Sequence, residues 1–159
     1  MIQAQGAREA SLEDLDVFDE IEGLSFPTRW SRKALAYELS ENPLSRSFIW
    51  QENDEVLAFS IFRLVMDEAE LMQVAVAPKA RCKKIGYKLL DFAIERLAAE
   101  GIQRVVLEVR ETNLPAQALY KSLGFTQCGC VRGYYQDSGE DAWIMERRIL
   151  DKLSNTSLY

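Results

Sequence analysis

A basic turn joins an apolar strand to a long helix in the middle of the chain. The strand Val74–Ala77 stops at Pro78, the turn Lys79–Gly86 is rich in lysine and arginine, and a helix is predicted over Tyr87–Glu100. The first N–H groups of a helix have no partner within it, and the helix dipole adds partial positive charge there. Successive amides in such a turn can also form an anion-binding nest. The segment therefore predicts a pyrophosphate-binding turn, although a run of charge can also be an ordinary solvated connection.

Two side chains downstream of this turn are suited to acid–base chemistry. In the predicted strand Val105–Val109 the side chains alternate between two faces, which puts Glu108 on the same face as Arg110. A carboxylate within an apolar strand costs free energy unless it is paired or opens onto a cleft. Glu108 is therefore either a candidate general base or the partner of Arg110 or another basic group in a salt bridge. Tyr120, on a helix that Asn113 begins, is either a candidate acid or a core tyrosine with a bonded hydroxyl.

The composition fits one domain and excludes several kinds of site. The chain has 159 residues, of which 48% are hydrophobic, and no apolar run reaches the ~20 residues of a membrane helix. We expect a single domain over residues 1–150 and a tail at residues 151–159. The absence of histidine removes His-based catalysis and most metal sites, and the three cysteines lack the spacing of zinc ligands. No metal is therefore expected.

The start of the chain and its net charge limit the cellular compartment and the kinds of partner that we expect. Met1–Ala4 has no basic segment followed by an apolar one, so no signal peptide is predicted, and free thiols favour a reducing cytoplasm. The net charge of −6 makes the chain a poor general binder of nucleic acid. Acidity suits a basic partner or an amine substrate, or it only confers solubility. Neither a membrane nor a nucleic-acid partner is expected, and the oligomeric state is left open.

The hydrophobic pattern and the helix caps predict an α/β fold. The predicted strands are Gln3–Arg8, Ser47–Gln51, Val56–Leu64, Ala69–Ala77, Val105–Val109, Phe125–Val131 and Ala142–Ile149. Helices are predicted after Ser11, over Lys33–Leu39 after Ser31, over Tyr87–Glu100, and over Pro115–Leu123 after Asn113. Three consecutive strands and a terminal pair do not fit a strict alternation of strands and helices. We therefore expect a mixed central sheet of about seven strands with helices on both faces.

A set of short motifs runs in order along most of the chain, from about Ala7 to Arg148. It comprises Glu22, Phe26-Pro27 and Trp30-Ser31; Val74-Ala75-Val76 with Arg81, Lys84 and Gly86; Leu107-Glu108-Val109-Arg110; Asn113, Ala118-Leu119-Tyr120 and Leu123-Gly124-Phe125; and Tyr134-Tyr135, Glu140-Asp141-Ala142 and Met145. Together these motifs resemble the GNAT superfamily of N-acetyltransferases. Within it, the chain most resembles the RimI type, which acetylates the N-terminal alanine of a small-subunit ribosomal protein.

This resemblance implies the GNAT fold and direct transfer of an acetyl group from acetyl-CoA to an amine. It makes Glu108 the proton acceptor and Tyr120 the proton donor to the departing thiolate. A terminal α-amine has a pKa of about 7.7–8.0 and needs only a mild base to lose its proton. Proton transfer from a phenol with a pKa of about 10 to a thiolate whose thiol has a pKa of about 8.5 is only modestly unfavourable. The backbone N–H groups of Val74–Val76 would polarise the thioester carbonyl.

The resemblance also implies which residues bind acetyl-CoA and which bind the substrate. Contacts to acetyl-CoA are implied for Val74, Ala75, Val76, Arg81, Cys82, Lys83, Lys84, Ile85, Gly86, Tyr87 and Asn113. Asn113 is alternatively a plain N-cap, or serves both roles. Trp30, Tyr134 and Tyr135 are implied to flank the peptide substrate, with aromatic residues that cover the edge of the core as the alternative. Cys82, Cys128 and Cys130 are expected to be bystanders.

One position departs from the superfamily pattern Gln/Arg-x-x-Gly-x-Gly/Ala. Arg81 and Gly86 match it, but Lys84 stands at the position of the first glycine. Glycine there allows a close approach of phosphate or a positive φ, whereas lysine adds charge and a Cβ atom. Either the turn accepts lysine and gains a phosphate contact, or CoA binding is weakened. We expect the first outcome, with Lys84 in a right-handed conformation at the start of the helix.

Three functions are compatible with these residues. The first is N-terminal acetylation of a ribosomal protein. The second is acetylation of a lysine side chain, a polyamine or an antibiotic amine, and a lysine amine with a pKa of about 10.4 would need stronger base assistance. The third is a non-catalytic CoA-binding module, which Lys84 favours and which Glu108 and Tyr120 argue against.

Overall fold

The strands of the protein hydrogen-bond in an order that differs from their order along the chain. A computed structural model describes residues 5–26 and 28–149. The strands are β1 Gln5–Glu9, β2 Ser45–Glu52, β3 Glu55–Val65, β4 Glu68–Val76, β5 Arg104–Arg110, β6 Thr126–Val131 and β7 Ala142–Arg148. The helices are α1 Leu15–Ser25, α2 Arg32–Ser40, α3 Ile85–Ala99 and α4 Leu114–Ser122. The order across the sheet is β1-β2-β3-β4-β5-β7-β6.

The sheet is mixed, as the sequence predicted. The pairs β1–β2, β2–β3, β5–β7 and β6–β7 are antiparallel. The pair β4–β5 is parallel, and its register runs from Glu68 with Arg104 to Leu71 with Leu107. Strand β7 lies between β5 and β6, so the last of the described strands is not at the edge of the sheet.

Local sequence signals explain where most of the elements begin and turn. The side chain of Ser11 and the carboxylate of Asp14 form a capping box at a 3-10 turn ahead of α1, and Ser31 Oγ accepts a hydrogen bond from Ala34 N at 3.0 Å. Asn53 and Asp54 turn the β2–β3 hairpin with φ of 53° and 65°, values that these residue types tolerate. The predicted element order is confirmed.

The observed bounds differ from the predicted ones by a few residues. Helix α3 begins at Ile85 rather than at Tyr87, and β5 extends to Arg110. The start of the predicted first strand, at Gln3 and Ala4, and the predicted tail at residues 151–159 lie outside the described residues.

The chain divides into two compact units. The first comprises the residues up to Leu64 together with Met72–Glu95. Its core includes Phe18, Ile21, Leu35, Ile49, Phe59, Ile61, Ala75 and Ala77. The rings of Phe18 and Phe59 are stacked with their centroids 4.2 Å apart, which adds about 0.5–1.5 kcal/mol to the burial of the two side chains.

The second unit comprises Val65–Leu71 together with the residues from Arg96 onward. Its buried side chains include Val105, Leu107, Val109, Leu123, Phe125 and Met145. Arg104 at the start of β5 pairs with Glu68 of β4 at 3.0 Å and with Glu146 of β7. These two ion pairs and the apolar face of β5 hold together β4, β5 and β7, and β5 is the strand that carries Glu108.

Candidate active site

The basic turn lies in the first unit and contains two residues with left-handed backbone. Pro78–Ala80 forms a 3-10 turn, and Cys82 and Lys84 then have φ of 65° and 61°. Arg81, Cys82, Lys83 and Lys84 are all exposed. Left-handed residues in such a turn can point successive N–H groups to one side, which is the geometry of an anion-binding nest.

The prediction of a right-handed Lys84 is wrong. Helix α3 begins one residue later, at Ile85, and the carbonyl of Lys84 accepts the hydrogen bond from Lys88 N at 3.1 Å. Lys84 is therefore the residue that leads into the helix, and its positive φ turns the chain from the extended Arg81 toward it. This left-handed backbone favours glycine, because a Cβ atom is strained there. The superfamily pattern has glycine at this position, so the conformation fits the pattern although the residue in this chain is lysine.

Arg81 braces the turn from within the first unit. Its Nε donates to the carbonyl of Val76 at 3.1 Å, and Nη2 donates to Ser25 Oγ at 3.3 Å. The guanidinium thereby ties the turn to the end of β4 and to the end of α1. A structural contribution therefore accompanies any role of Arg81 in cofactor binding.

A buried carboxylate that was not among the predicted site residues anchors the connection between α1 and α2. Glu22 is fully buried, and it accepts hydrogen bonds from Trp30 N at 3.0 Å and from the side chain of Gln73 on β4. Burial raises the pKa of Glu22, although these hydrogen bonds oppose the shift. The spacing of Phe18, Ile21 and Glu22 along α1 was the signal that could have identified it as an inward-facing residue.

Trp30 is partly buried and held on a second side by Arg63. The guanidinium carbon of Arg63 lies 5.8 Å from the centre of the Trp30 ring, within cation–π range. Arg63 also donates through Nε to the buried carboxylate of Glu38 at 2.8 Å. The connection that carries Trp30 is thus fixed to both β3 and β4 of the first unit.

Glu108 lies in the second unit on the exposed face of β5, as the alternation of side chains predicted. Its neighbours Val105, Leu107 and Val109 are buried, whereas Glu108 is exposed. Glu108 lies near Tyr134, and hydrogen bonding to its carboxylate is the main cause that raises the pKa of Tyr134 to about 12. The hydroxyl of Tyr134 therefore stays protonated at every physiological pH.

Arg110, the alternative partner of Glu108, instead binds the loop Arg132–Asp141, which is called the β6–β7 loop below. Its guanidinium donates to both carboxylate oxygens of Asp137 at 3.0 and 2.9 Å and lies 4.0 Å from the centre of the Tyr135 ring. The hydrogen bonds to Arg110 hold the pKa of Asp137 below its usual range.

Tyr120 is buried in the second unit. It is 6% exposed, and its ring centroid lies 5.9 Å from that of Phe125. Burial, with a smaller effect from Tyr135, raises the pKa of Tyr120 well above its usual value. Tyr120 therefore packs as a core tyrosine does. Its hydroxyl stays protonated, so it can still donate a hydrogen bond.

One polar side chain caps helix α4 and another fixes the helix to the end of β5. Asn113 Oδ1 accepts a hydrogen bond from Ala116 N at 3.2 Å, which confirms its N-cap role. Gln117 was not predicted as a site residue, yet it is buried and its Nε2 donates to the carbonyls of Arg110 and Glu111 at 3.0 and 2.9 Å. These contacts set the position of Tyr120, one turn farther along α4.

The predicted site residues fall into two groups by unit. Trp30, Val74–Val76 and the basic turn belong to the first unit, and Glu108, Asn113, Tyr120, Tyr134 and Tyr135 belong to the second. Within the described ranges, no cluster of three or more acidic, cysteine or histidine side chains has a geometry suited to a metal ion. Cys82, Cys128 and Cys130 are free and exposed. None of the helices seen in residues 5–26 and 28–149 has both the length and the apolar composition to cross a membrane.

Comparison with known sequences gives consistent matches. Residues 15–125 match the model of the acetyltransferase (GNAT) family, a range that includes the basic turn, β5 and α4. The chain is 39% identical over 134 residues to the ribosomal protein bS18-alanine N-acetyltransferase of Escherichia coli strain K12, a match that covers 83% of this chain and 89% of the relative. The Salmonella typhimurium protein of the same name is 36% identical over 137 residues, with 85% and 91% covered.

Comparison with solved structures agrees with the sequence matches. The crystal structure of the ribosomal-protein-S18-alanine N-acetyltransferase from Escherichia coli is similar, with a TM-score of 0.85 and 34% identity, and the match covers 92% of this chain and 94% of that one. Arabidopsis thaliana NAA60, solved in complex with a bisubstrate analogue, has a TM-score of 0.82 at 16% identity, with 91% and 98% covered. The second structure shares the fold.

Proposed function

The chain belongs to the GNAT family of acetyltransferases, which are acetyl-CoA-dependent, and from this premise we propose that it acetylates the N-terminal alanine of the ribosomal protein bS18. The support for this substrate is the name shared by relatives that are 36–39% identical over more than four fifths of the chain. The free, exposed cysteines fit an intracellular site of action beside the ribosome.

We assign the role of general base to Glu108. The observation that carries the mechanism is its exposed carboxylate, which stands on β5 between the buried Leu107 and Val109 and lies near Tyr134. A terminal α-amine with a pKa of about 7.7–8.0 is already partly neutral near pH 7.5, so one carboxylate suffices to take its proton. On this proposal Glu108 accepts that proton, directly or through water, as the new N–C bond forms.

Tyr120 is the proposed donor to the sulfur as the C–S bond breaks. Its raised pKa keeps the hydroxyl protonated, and it also makes full proton transfer to a thiolate of pKa about 8.5 more uphill than for an ordinary phenol. The proposed role is therefore a hydrogen bond from the hydroxyl of Tyr120 that stabilises the thiolate as it departs. The released thiolate takes its proton from solvent.

The basic turn is the proposed site for the pyrophosphate of acetyl-CoA. The exposed residues Cys82–Lys84 directly precede α3, and their amides and the first amides of the helix are proposed to bind an anion with several oxygen acceptors. Lys83 and Lys84 add two exposed positive charges. The amides of Val74–Val76 are proposed to polarise the thioester carbonyl, and Asn113 is proposed to contact the cofactor as well as cap α4.

Trp30, Tyr134 and Tyr135 are the proposed aromatic residues that flank the substrate peptide. Trp30 is fixed by Glu22 and Arg63 in its own unit. Tyr134 is 45% exposed and interacts with Glu108, so one side chain can contact both the peptide and the base.

The test uses a peptide that copies the N-terminus of bS18, begins with alanine and contains an internal lysine. After incubation with acetyl-CoA, mass spectrometry is expected to find one acetyl group on the α-amine and none on the lysine. The matched control is the same peptide with its α-amine already acetylated, which should gain nothing.

Two other outcomes would assign a different function. Acetylation on the lysine alone would make the protein a lysine acetyltransferase. Tight binding of acetyl-CoA by calorimetry without any acetylated product, across peptides and small amines, would support the non-catalytic CoA-binding module.

A further inference from the structure

We propose that Arg110 is a positioning residue that holds the β6–β7 loop so that the hydroxyl of Tyr134 reaches Glu108. The inference rests on the proposed role of Glu108 as base. It extends the site to a side chain two positions farther along β5, which acts on the base only through the loop.

The first contact that carries the proposal is a two-point ion pair. Arg110 Nη1 and Nη2 donate to the two carboxylate oxygens of Asp137 at 3.0 and 2.9 Å, and Nη1 also donates to Ser138 Oγ at 3.1 Å. A planar guanidinium that engages a carboxylate at two points fixes orientation as well as distance, which a lysine ammonium cannot do. The pair therefore sets where the tip of the loop lies relative to β5.

The second contact links Arg110 to Tyr134 through a neighbouring ring. The guanidinium of Arg110 lies 4.0 Å from the centre of the Tyr135 ring, a close cation–π contact. The rings of Tyr135 and Tyr134 then meet edge to face, with centroids 5.1 Å apart and an interplanar angle of 87°. Arg110, Tyr135 and Tyr134 thus form one continuous series of contacts within the second unit, and Tyr134 in turn interacts with Glu108.

A backbone hydrogen bond from Glu111 N to Asp141 O at 3.1 Å ties the end of the loop to the residue after β5, but it does not reach the tip of the loop. Tyr134 and the residues Gln136–Gly139 are exposed, so apolar burial contributes little to their order. The hydrogen bonds Gly139 N to Tyr135 O at 2.7 Å and Tyr135 N to Glu140 O at 3.1 Å close the loop on itself. These bonds preserve the internal shape of the loop, and Arg110 is the side chain that determines how this shape is placed against Glu108.

Arg104 provides a matched control on the same strand and the same face. It also binds two carboxylates, those of Glu68 and Glu146, and its substitution removes a comparable ion pair. Its contacts are to β4 and β7, whereas those of Arg110 are to the loop. Arg104→Gln therefore reports the general cost of losing an arginine from β5.

The direct readout is the pKa of Tyr134, measured by NMR of the ring carbon that bears the hydroxyl in protein labelled at tyrosine. The groups that act on Tyr134 are Glu108, Tyr135 and Glu70, and all of them raise its pKa, which is about 12 in the intact protein. Arg110→Gln is expected to lower this pKa toward the ordinary value of about 10, because the bond to Glu108 is lost. Removal of the positive charge of Arg110 alone would raise the pKa of Tyr134, so a fall in this pKa identifies the loss of positioning.

Arg110→Lys and Asp137→Asn are the second variants, in case Arg110→Gln does not fold. Arg110→Lys keeps the charge and loses the two-point geometry, and Asp137→Asn breaks the same pair from the loop. Both are expected to lower the pKa of Tyr134, and Arg104→Gln is expected to leave it unchanged. A pKa that stays at its original value or rises in the Arg110 and Asp137 variants overturns the proposal.

The kinetic readout is a double-mutant cycle with Tyr134→Phe. Arg110→Gln is expected to lower kcat/KM for the peptide about tenfold with KM for acetyl-CoA unchanged, and to have less than about a twofold effect when Tyr134 is already phenylalanine. Losses that multiply in the double variant would mean that Arg110 does not act through Tyr134. If the intact protein acetylates no peptide, the proposed function fails, and the NMR measurement still decides whether Arg110 positions the loop.

Discussion

The basic turn and the β6–β7 loop are both exposed, yet they are held by different means. Beyond the brace from Arg81, the turn depends on its backbone, with left-handed residues at Cys82 and Lys84. The β6–β7 loop depends on side chains, chiefly the guanidinium of Arg110 on Asp137 and Tyr135. The turn should therefore respond to the presence of a Cβ atom, and the loop to charge and to planar geometry. The two regions are also assigned different tasks, cofactor binding and amine activation, so substitutions can separate them.

The largest expected effect is that of Glu108→Gln, which tests this separation of tasks. Without the carboxylate the rate of peptide acetylation should fall by about 10²–10³-fold, because the amine loses its base. The affinity for acetyl-CoA, assigned to the basic turn, should not change. The measurements are kcat with the bS18 peptide and the Kd for acetyl-CoA by calorimetry.

The residual activity of this variant should increase with pH as the amine, of pKa about 7.7–8.0, loses its own proton. If Glu108→Gln weakened acetyl-CoA binding as much as turnover, the two regions would not be functionally separate.

An intermediate effect is expected for Tyr120→Phe. Loss of one hydrogen bond to the departing thiolate should lower kcat about tenfold, the equivalent of about 1–1.5 kcal/mol. The experiment measures kcat with a saturating concentration of each substrate. Tyr37→Phe, on the exposed surface of α2, is the control for removal of a hydroxyl. An unchanged kcat in Tyr120→Phe would leave this tyrosine with a packing role only.

The same substitution tests the effect of burial on stability at alkaline pH. The pKa of Tyr120 is raised in the folded state, so the folded protein holds this proton more tightly than the unfolded chain does. The contribution of Tyr120 to the unfolding free energy is therefore fully present below about pH 10, and it decreases as the pH rises above that value, because the tyrosine of the unfolded chain then ionises. Tyr120→Phe should lose less unfolding free energy between pH 9.5 and pH 11, as measured by urea denaturation. Equal losses in the two proteins would contradict the buried hydroxyl.

The smallest expected effect is that of Lys84→Gly, which tests the basic turn alone. Glycine relieves about 1–2 kcal/mol of left-handed strain and adds about 0.5–1 kcal/mol of unfolded-state entropy, so a net stabilisation of about 0.5–1 kcal/mol is expected. Lys83→Gly removes the same charge one position earlier, where φ is not positive, and should destabilise the protein. Thermal unfolding of the two variants distinguishes them, and equal melting temperatures would show that backbone strain does not matter in the turn.

Local patterns were sufficient for the element order and for the face that each element buries. The N-caps Ser11, Ser31 and Asn113 were correctly identified, because a cap is satisfied by amides two or three residues away. The burial of Val105, Leu107 and Val109 with Glu108 exposed followed from the two-residue period of a strand. The GNAT resemblance, confirmed by the family match, supplied the chemistry that a strand glutamate and a helical tyrosine cannot indicate on their own.

The sequence by itself therefore determined which residues form each element and which residues are candidates for the site. Only the tertiary structure decided their partners: Tyr134 rather than Arg110 for Glu108, Asp137 for Arg110, and Gln73 for a Glu22 that lies 51 positions away. It also decided the left-handed Lys84, because the path of the chain into α3, and not the preference of lysine, sets that φ. The physical reason is one of range, since periodicity and capping act over a few residues, whereas ion pairs and buried hydrogen bonds form between segments that only the folded sheet brings together.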